Sequence, residues 1–266
     1  QRRIGCYIQY SLNDYEEEGL EKNVPPIEQR IETFKQLTNA LGKGHVIWRF
    51  DPLVLTDSIN IDKLLDKVEN IGNQLLGCTE KLVFSFADIL SYRKVQANLQ
   101  KASINYIDWQ ENQMREFARR LSVLNQKWGY ELATCGEKID LTEFGVKKNH
   151  CVDDELIIKL AYDDKKLMDY LKVKFYPMPQ KSLFGDSESL PDSAIILPNG
   201  MYALHGDNKD KGQRAFCGCI KSKDIGEYNT CVHGCEYCYA NASKQAAVMN
   251  YKCHKENPWS ETITGK

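Results

Sequence analysis

Four short apolar runs, at 4–10 (IGCYIQY), 45–50 (HVIWRF), 81–86 (KLVFSF) and 130–135 (YELATC), alternate with amphipathic helical patterns. This alternation constrains the fold more than any other feature. A strand followed by a helix and then by another strand of the same sheet needs a crossover, which makes the strands parallel and the connection right-handed. Pro25 and Pro26 open the first helix, Ile27, Ile31, Phe34 and Leu41 share its inner face, and Gly42 stops it. Ile61, Leu64, Leu65, Val68, Ile71 and Leu75 mark the second helix. Met114, Phe117, Leu121, Leu124 and Trp128 mark a third, after a longer connection. A chain of 266 residues suits one barrel. The first expectation is therefore a (β/α) barrel, complete or partial and TIM-like, over residues 1–175. An open doubly wound sheet is the second. Gln1 leads straight into a strand-like run with no initiator Met, so one or more N-terminal strands are expected to be missing from its start.

Beyond Cys151 the rhythm breaks. A helix is expected over 154–171, and 176–200 is rich in Pro, Ser, Gly and Asp. Cys217, Cys219, Cys231, Cys235, Cys238 and Cys253 all follow, so 176–266 reads as an irregular excursion with a C-terminal cysteine-rich, cluster-binding segment docked on the barrel. The 35 basic and 37 acidic residues leave a formal charge of −2, which argues against a nucleic-acid partner. The basic stretch from Lys209 to Lys223 reads as a solvated loop. No apolar run is long enough to span a membrane, and no signal peptide is visible. The expected location is the cytoplasm, a reducing compartment where close thiols are metal ligands more often than disulfides.

The stretch CVHGCEYCYA brings Cys231, Cys235 and Cys238 together at C-x3-C-x2-C spacing. A structural zinc site wants four ligands, usually as two C-x2-C pairs. Here the fourth would have to come from Cys253, His254, His233 or the Cys217/Cys219 pair, none at the usual spacing. Three thiolates suit a [4Fe–4S] cluster better, binding three irons and leaving the fourth open to a small molecule. Tyr237 is placed to cover the cluster or the ligand at that iron.

These three cysteines, with Tyr237 before the last, resemble the cluster motif of radical S-adenosylmethionine enzymes. The resemblance implies that S-adenosylmethionine occupies the open iron and is cleaved reductively to a 5′-deoxyadenosyl radical, which abstracts hydrogen from a substrate. It also implies an electron donor of the ferredoxin or flavodoxin kind. The motif normally follows the first barrel strand, whereas here only residues 239–266 come after it, so the cluster would reach the barrel from the other end, as in a permuted arrangement. A wider resemblance rests on VIWRFDPLVL (46–55), LVFSFADI (82–89), TCGEKIDL (134–141), NHCVD (149–153) and QRAFCGCIKSKDIGEYNTCVHGCEYCYAN (213–241). These are similar to a bacterial and archaeal family of unknown function whose C-terminal cysteines resemble the radical enzymes.

Other candidates lie at predicted strand ends, where a barrel keeps its active site. Arg49 and Asp51 leave the second strand, and together could bind a carboxylate, a ribose or each other. Glu137 stands where the radical enzymes hold a cofactor amine with a Gly-Gly-Glu segment, although Cys135 replaces the first Gly. Asp88, Tyr10, Ser11 and Asn13 are weaker suggestions. Cys135, Cys151, Cys217 and Cys219 could converge on the upper rim and hold a second [4Fe–4S] cluster. The leading expectation is a radical S-adenosylmethionine-type enzyme. An electron-transfer or redox-sensing iron–sulfur protein and a zinc-stabilised, non-catalytic module are the alternatives.

Overall fold

A computed structural model of the chain describes residues 5–179 and 189–266. The start of the first predicted strand and residues 180–188 of the irregular excursion lie outside the described residues. The chain forms two compact units. The larger, the sheet unit, takes Tyr7–Lys147 and Lys223–Lys266; the smaller takes Lys148–Ser222 and the start of the chain up to Cys6.

In chain order the sheet unit carries β1 (Ile8–Ser11), α1 (Ile27–Leu41), β2 (Val46–Leu53), β3 (Leu55–Thr56), α2 (Ile61–Gln74) and β4 (Lys81–Phe86). It continues through α3 (Arg93–Lys101), β5 (Tyr106–Ile107), α4 (Glu111–Asn125), β6 (Glu131–Thr134) and β7 (Val146–Lys148). The main sheet runs β1-β2-β4-β6-β7, and β1, β2, β4 and β6 are parallel neighbours. Helix α1 ends where the sequence places its stop: Gly42 follows at φ 100° and returns its N–H to the Thr38 carbonyl. Asn60 caps α2 by accepting the Lys63 N–H at 2.9 Å.

The expected (β/α) barrel is not formed. The fold is α/β with an open five-stranded sheet, and no strand among the described residues joins β1 to β7. A closed parallel barrel needs eight strands of matched tilt and stagger, and five cannot return to the first. The order also lacks the reversal of a doubly wound sheet, so right-handed crossovers bring α1, α2 and α4 to one face.

That single helical layer gives the sheet two different faces. Tyr10 meets Phe34 of α1 edge-on, Phe84 meets Phe117 of α4, and Trp48 meets Tyr130. Trp48, Phe34 and Phe117 are completely buried in this core. Alternation along each strand turns Gln9, Arg49, Asp51 and Ser85 to the opposite face. Close packing of α2 depends on Gly72. A Cβ there would lie 2.6 Å from the Trp128 ring, which stacks on Tyr130 and donates its indole N–H to Asn73 at 2.9 Å.

The smaller unit contains α5 (Asp154–Ala161), α6 (Lys165–Tyr170), β8 (Lys174–Pro177), β9 (Ile195–Ile196) and β10 (Met201–Leu204). The helix expected over 154–171 is broken in two because Asp164 caps α6, accepting the Leu167 N–H at 3.1 Å. Its sheet is antiparallel in the order β8-β10-β9. Its core is small: Ile158, Met168, Leu171, Ile195, Leu197, Ala203 and Ile220. The last helix, α7 (Lys244–Glu256), returns to the sheet unit. Among the described residues no helix is long and apolar enough to cross a membrane.

Candidate functional site

Parallel strands direct their carboxyl ends, and the loops that follow them, to one edge of the sheet. At that edge Arg49 is half-buried and its guanidinium pairs with the Asp51 carboxylate, Nε donating at 3.1 Å; Nη1 donates to Gln9 at 2.5 Å. The Ser85 hydroxyl of β4 donates to the other Asp51 oxygen. Arg49 and Asp51 therefore bind each other, one of the outcomes the sequence left open. Beyond β6, Glu137 turns back to accept the Phe86 N–H at 2.9 Å. Burial pushes the Glu137 carboxyl up to about 7, and the nearby charges of Asp51 and Asp88 add to the shift.

Asn13, just after β1, joins this edge to the cysteine loop. Its carboxamide oxygen accepts the Asp51 N–H at 2.8 Å. Its nitrogen donates to the Asp51 carbonyl at 3.2 Å, to Glu21 at 3.2 Å and to the Tyr237 hydroxyl at 3.0 Å. Tyr237 donates to the same Glu21 carboxylate. Arg30, 5 % exposed, balances that buried charge and donates to the Asn13 carbonyl at 2.8 Å.

The rest of the loop is pinned as firmly. The Glu236 N–H donates to the Leu20 carbonyl at 2.9 Å, and its buried carboxylate takes Lys22 at 3.2 Å and Lys244 at 2.7 Å. Asn241 donates to the Cys231 carbonyl at 2.7 Å, and the Cys238 N–H closes a turn onto the Cys235 carbonyl. Cys231 is exposed, while Cys235 and Cys238 are half-buried. Burial pushes the Cys235 thiol up to about 12, reinforced by Glu21, Cys231 and Cys238, while a hydrogen bond with Tyr237 opposes the rise. Arg49, Asp51, Glu137, Tyr237 and the three loop cysteines thus lie in one unit, and Asn13 joins Tyr237 to Asp51 at the carboxyl edge. Cys135 leaves β6 in the same unit, its N–H bonded to Phe84.

Cys151, Cys217 and Cys219 belong to the smaller unit. There the Cys219 sulfur accepts the N–H groups of Cys151 at 3.1 Å and Val152 at 3.4 Å, and burial raises its thiol pKa. Among the described residues the only three metal-ligating side chains whose ligand atoms all lie within 4.8 Å of one another are His150, Asp153 and Asp154. No disulfide joins any of the ten cysteines.

Of the weaker suggestions, Asn13 is central, Tyr10 packs against Phe34 of α1, and Asp88 accepts from Ser91 at 2.6 Å and lies near enough to Glu137 to raise its pKa. Glu21, Arg30 and Ser85 escaped the sequence reading. Ser85 could have been found, since strand alternation sets it on the face of Asp51. Glu21 sits after an acidic turn and reads as a solvated charge, so only the fold reveals its partners.

A family model described as Domain of unknown function (DUF1848) matches residues 1–240. No curated protein and no solved structure matches the chain.

Proposed function

The chain belongs to the DUF1848 family, and from that premise we propose that it is an iron–sulfur enzyme of the radical S-adenosylmethionine type, acting in a reducing compartment such as the cytoplasm. The observation that carries this reading is the attachment of the loop bearing Cys231, Cys235 and Cys238 to the carboxyl edge of a parallel sheet, made by Tyr237 through Asn13. The fit to a cluster rests on donor chemistry: one short loop offers three thiols, the ligand type that iron–sulfur clusters take.

When bound, a [4Fe–4S] cluster supplies single electrons to S-adenosylmethionine and so starts radical chemistry on a substrate. The chain's own residues prepare that site. With the Cys235 thiol pushed up to about 12, loading must release its proton, and alkaline pH favours loading. Tyr237 lies against the Cys235 sulfur and takes its orientation from Glu21 and Asn13, which fixes the loop and tunes the ligand. Asn13 also ties the loop to the Asp51 backbone, so the cysteines and the Arg49–Asp51 pair are held in register. One Glu137 oxygen is taken by Phe86; the other would meet the cofactor amine, and a carboxyl near pH 7 can do so in either protonation state. An electron donor of the ferredoxin or flavodoxin kind completes the reaction.

Anaerobically reconstituted protein is expected to hold iron and acid-labile sulfide and, with dithionite and S-adenosylmethionine, to release 5′-deoxyadenosine. Cys235→Ser should abolish both. A cluster whose spectrum ignores S-adenosylmethionine, with no nucleoside above background, would replace this reading by electron transfer. Zinc at the loop, without iron, would make it a structural module.

A further inference from the structure

We propose that the smaller unit carries a site for one divalent transition-metal ion, with His150, Asp153 and Asp154 as nitrogen and oxygen ligands. One ligand atom from each of these side chains lies within 4.8 Å of the other two. His150 Nδ1 stands 3.8 Å from Asp154 Oδ1, which is too wide for a hydrogen bond. Two ligands about 2.1 Å from a common ion are about 3.0 Å apart at a right angle and about 4.2 Å apart in line. The gap between imidazole and carboxylate is one that an ion spans.

The charge at this point also calls for a cation. Asp153 and Asp154 are adjacent in the chain and only 8 % and 4 % exposed. Buried charges are paired or coordinate a metal. Asp154 Oδ2 meets Asn208 at 3.2 Å and His205 at 3.2 Å, and Oδ1 faces His150; no lysine or arginine joins them among the described residues. Asp153 caps α5, accepting the Leu156 N–H at 3.1 Å. The start of a helix supplies about half a positive charge, which leaves most of two negative charges to be met.

Tertiary packing holds the ligands in position. A Cβ built on Gly218 would lie 2.1 Å from His150 Nε2 and 2.2 Å from Cδ2. That edge of the ring therefore rests on the Gly218 backbone, where only glycine leaves room for it, and Nδ1 is left facing Asp154. Asn208 and His205 hold Asp154 by one oxygen and leave the other turned to the imidazole. Partners that fix a ligating carboxylate in this way are the usual support of a metal site.

The donor set selects the ion. Imidazole suits first-row transition metals, whereas magnesium and calcium prefer oxygen alone. The nearby Cys219 is a poor competitor, because burial raises its thiol pKa and disfavours the thiolate that a metal takes. Three protein ligands leave at least one coordination position to water or a small molecule, unlike a closed structural site. Binding displaces water and any imidazolium proton to solvent and changes no oxidation state.

The test uses the metal-free, full-length chain carrying C231S, C235S and C238S, so its outcome is separate from that of the cluster reading. Titration with Co2+ should give one ion per chain, with weak d–d absorption and no thiolate charge-transfer bands. His150→Ala should weaken binding by more than ~100-fold, beyond the loss usual for an outer partner. Asp154→Asn should also weaken it, with circular dichroism unchanged in both variants. Cys219→Ser should bind as its parent does. Absence of bound cobalt would overturn the proposal and leave the carboxylates to protonated imidazoles. Intense charge-transfer bands lost in Cys219→Ser would overturn it in favour of a cysteine site. Affinity unchanged in His150→Ala, or Mg2+ bound as tightly as Co2+, would overturn it by removing the imidazole from the ligand set.

Discussion

Glu137 holds its proton at a pH where most glutamates have lost it, because burial outweighs the one hydrogen bond from Phe86. In the unfolded chain the group ionises near its ordinary 4.5, and in the fold near 7. The stability associated with its neutral form is full below pH 4.5 and is lost as pH rises through 7. Glu137→Gln cannot ionise. In urea titrations of the metal-free protein, the stability of wild type relative to this variant should fall by on the order of 2 kcal/mol from pH 4.5 to 8. Parallel curves would show that Glu137 is more solvated than this. Tyr237→Phe removes one hydroxyl that serves two buried partners, Glu21 and Asn13. A loss of about 1–3 kcal/mol is expected, because the ring stays and the polar groups lose a partner. An unchanged denaturation midpoint would mean that water replaces the hydroxyl.

At the level of elements, the boundaries that local chemistry controls were readable. Pro25, Pro26 and Gly42 bracket α1 as expected, and the apolar runs are the strands β1, β2, β4 and β6. The helix over 154–171 was misjudged because apolar residues continue across the break while one capping aspartate ends the first helix's claim. Helix α2 poses a sharper question at Gly72. Alanine would gain about 1 kcal/mol of helix propensity, but its Cβ would meet the Trp128 ring at 2.6 Å. Overpacking costs about 1–3 kcal/mol, and Trp128 is held by Tyr130 and Asn73. Gly72→Ala should therefore lower the melting temperature by several degrees, whereas a rise would show that Trp128 yields.

Across the whole molecule, the core of the sheet unit is built without the cysteines of the proposed cluster loop. Trp48, Phe50, Phe84 and Phe117 pack around α1, α2 and α4 without any of the loop cysteines. Removing iron by anaerobic chelation should leave far-ultraviolet circular dichroism and the cooperative unfolding of this unit intact. Loss of the cooperative transition on chelation would show that the cluster nucleates the fold. The sequence by itself determined the parallel strand–helix succession and the C-x3-C-x2-C loop, since both are written in spacings of a few residues. Only the tertiary structure decided that the sheet stays open, that Glu21 and Arg30 brace Tyr237, and that His150 meets Gly218. Each of these depends on groups far apart in the chain, whose meeting is set by the balance of burial, charge and closure over the whole fold and leaves no local pattern to read.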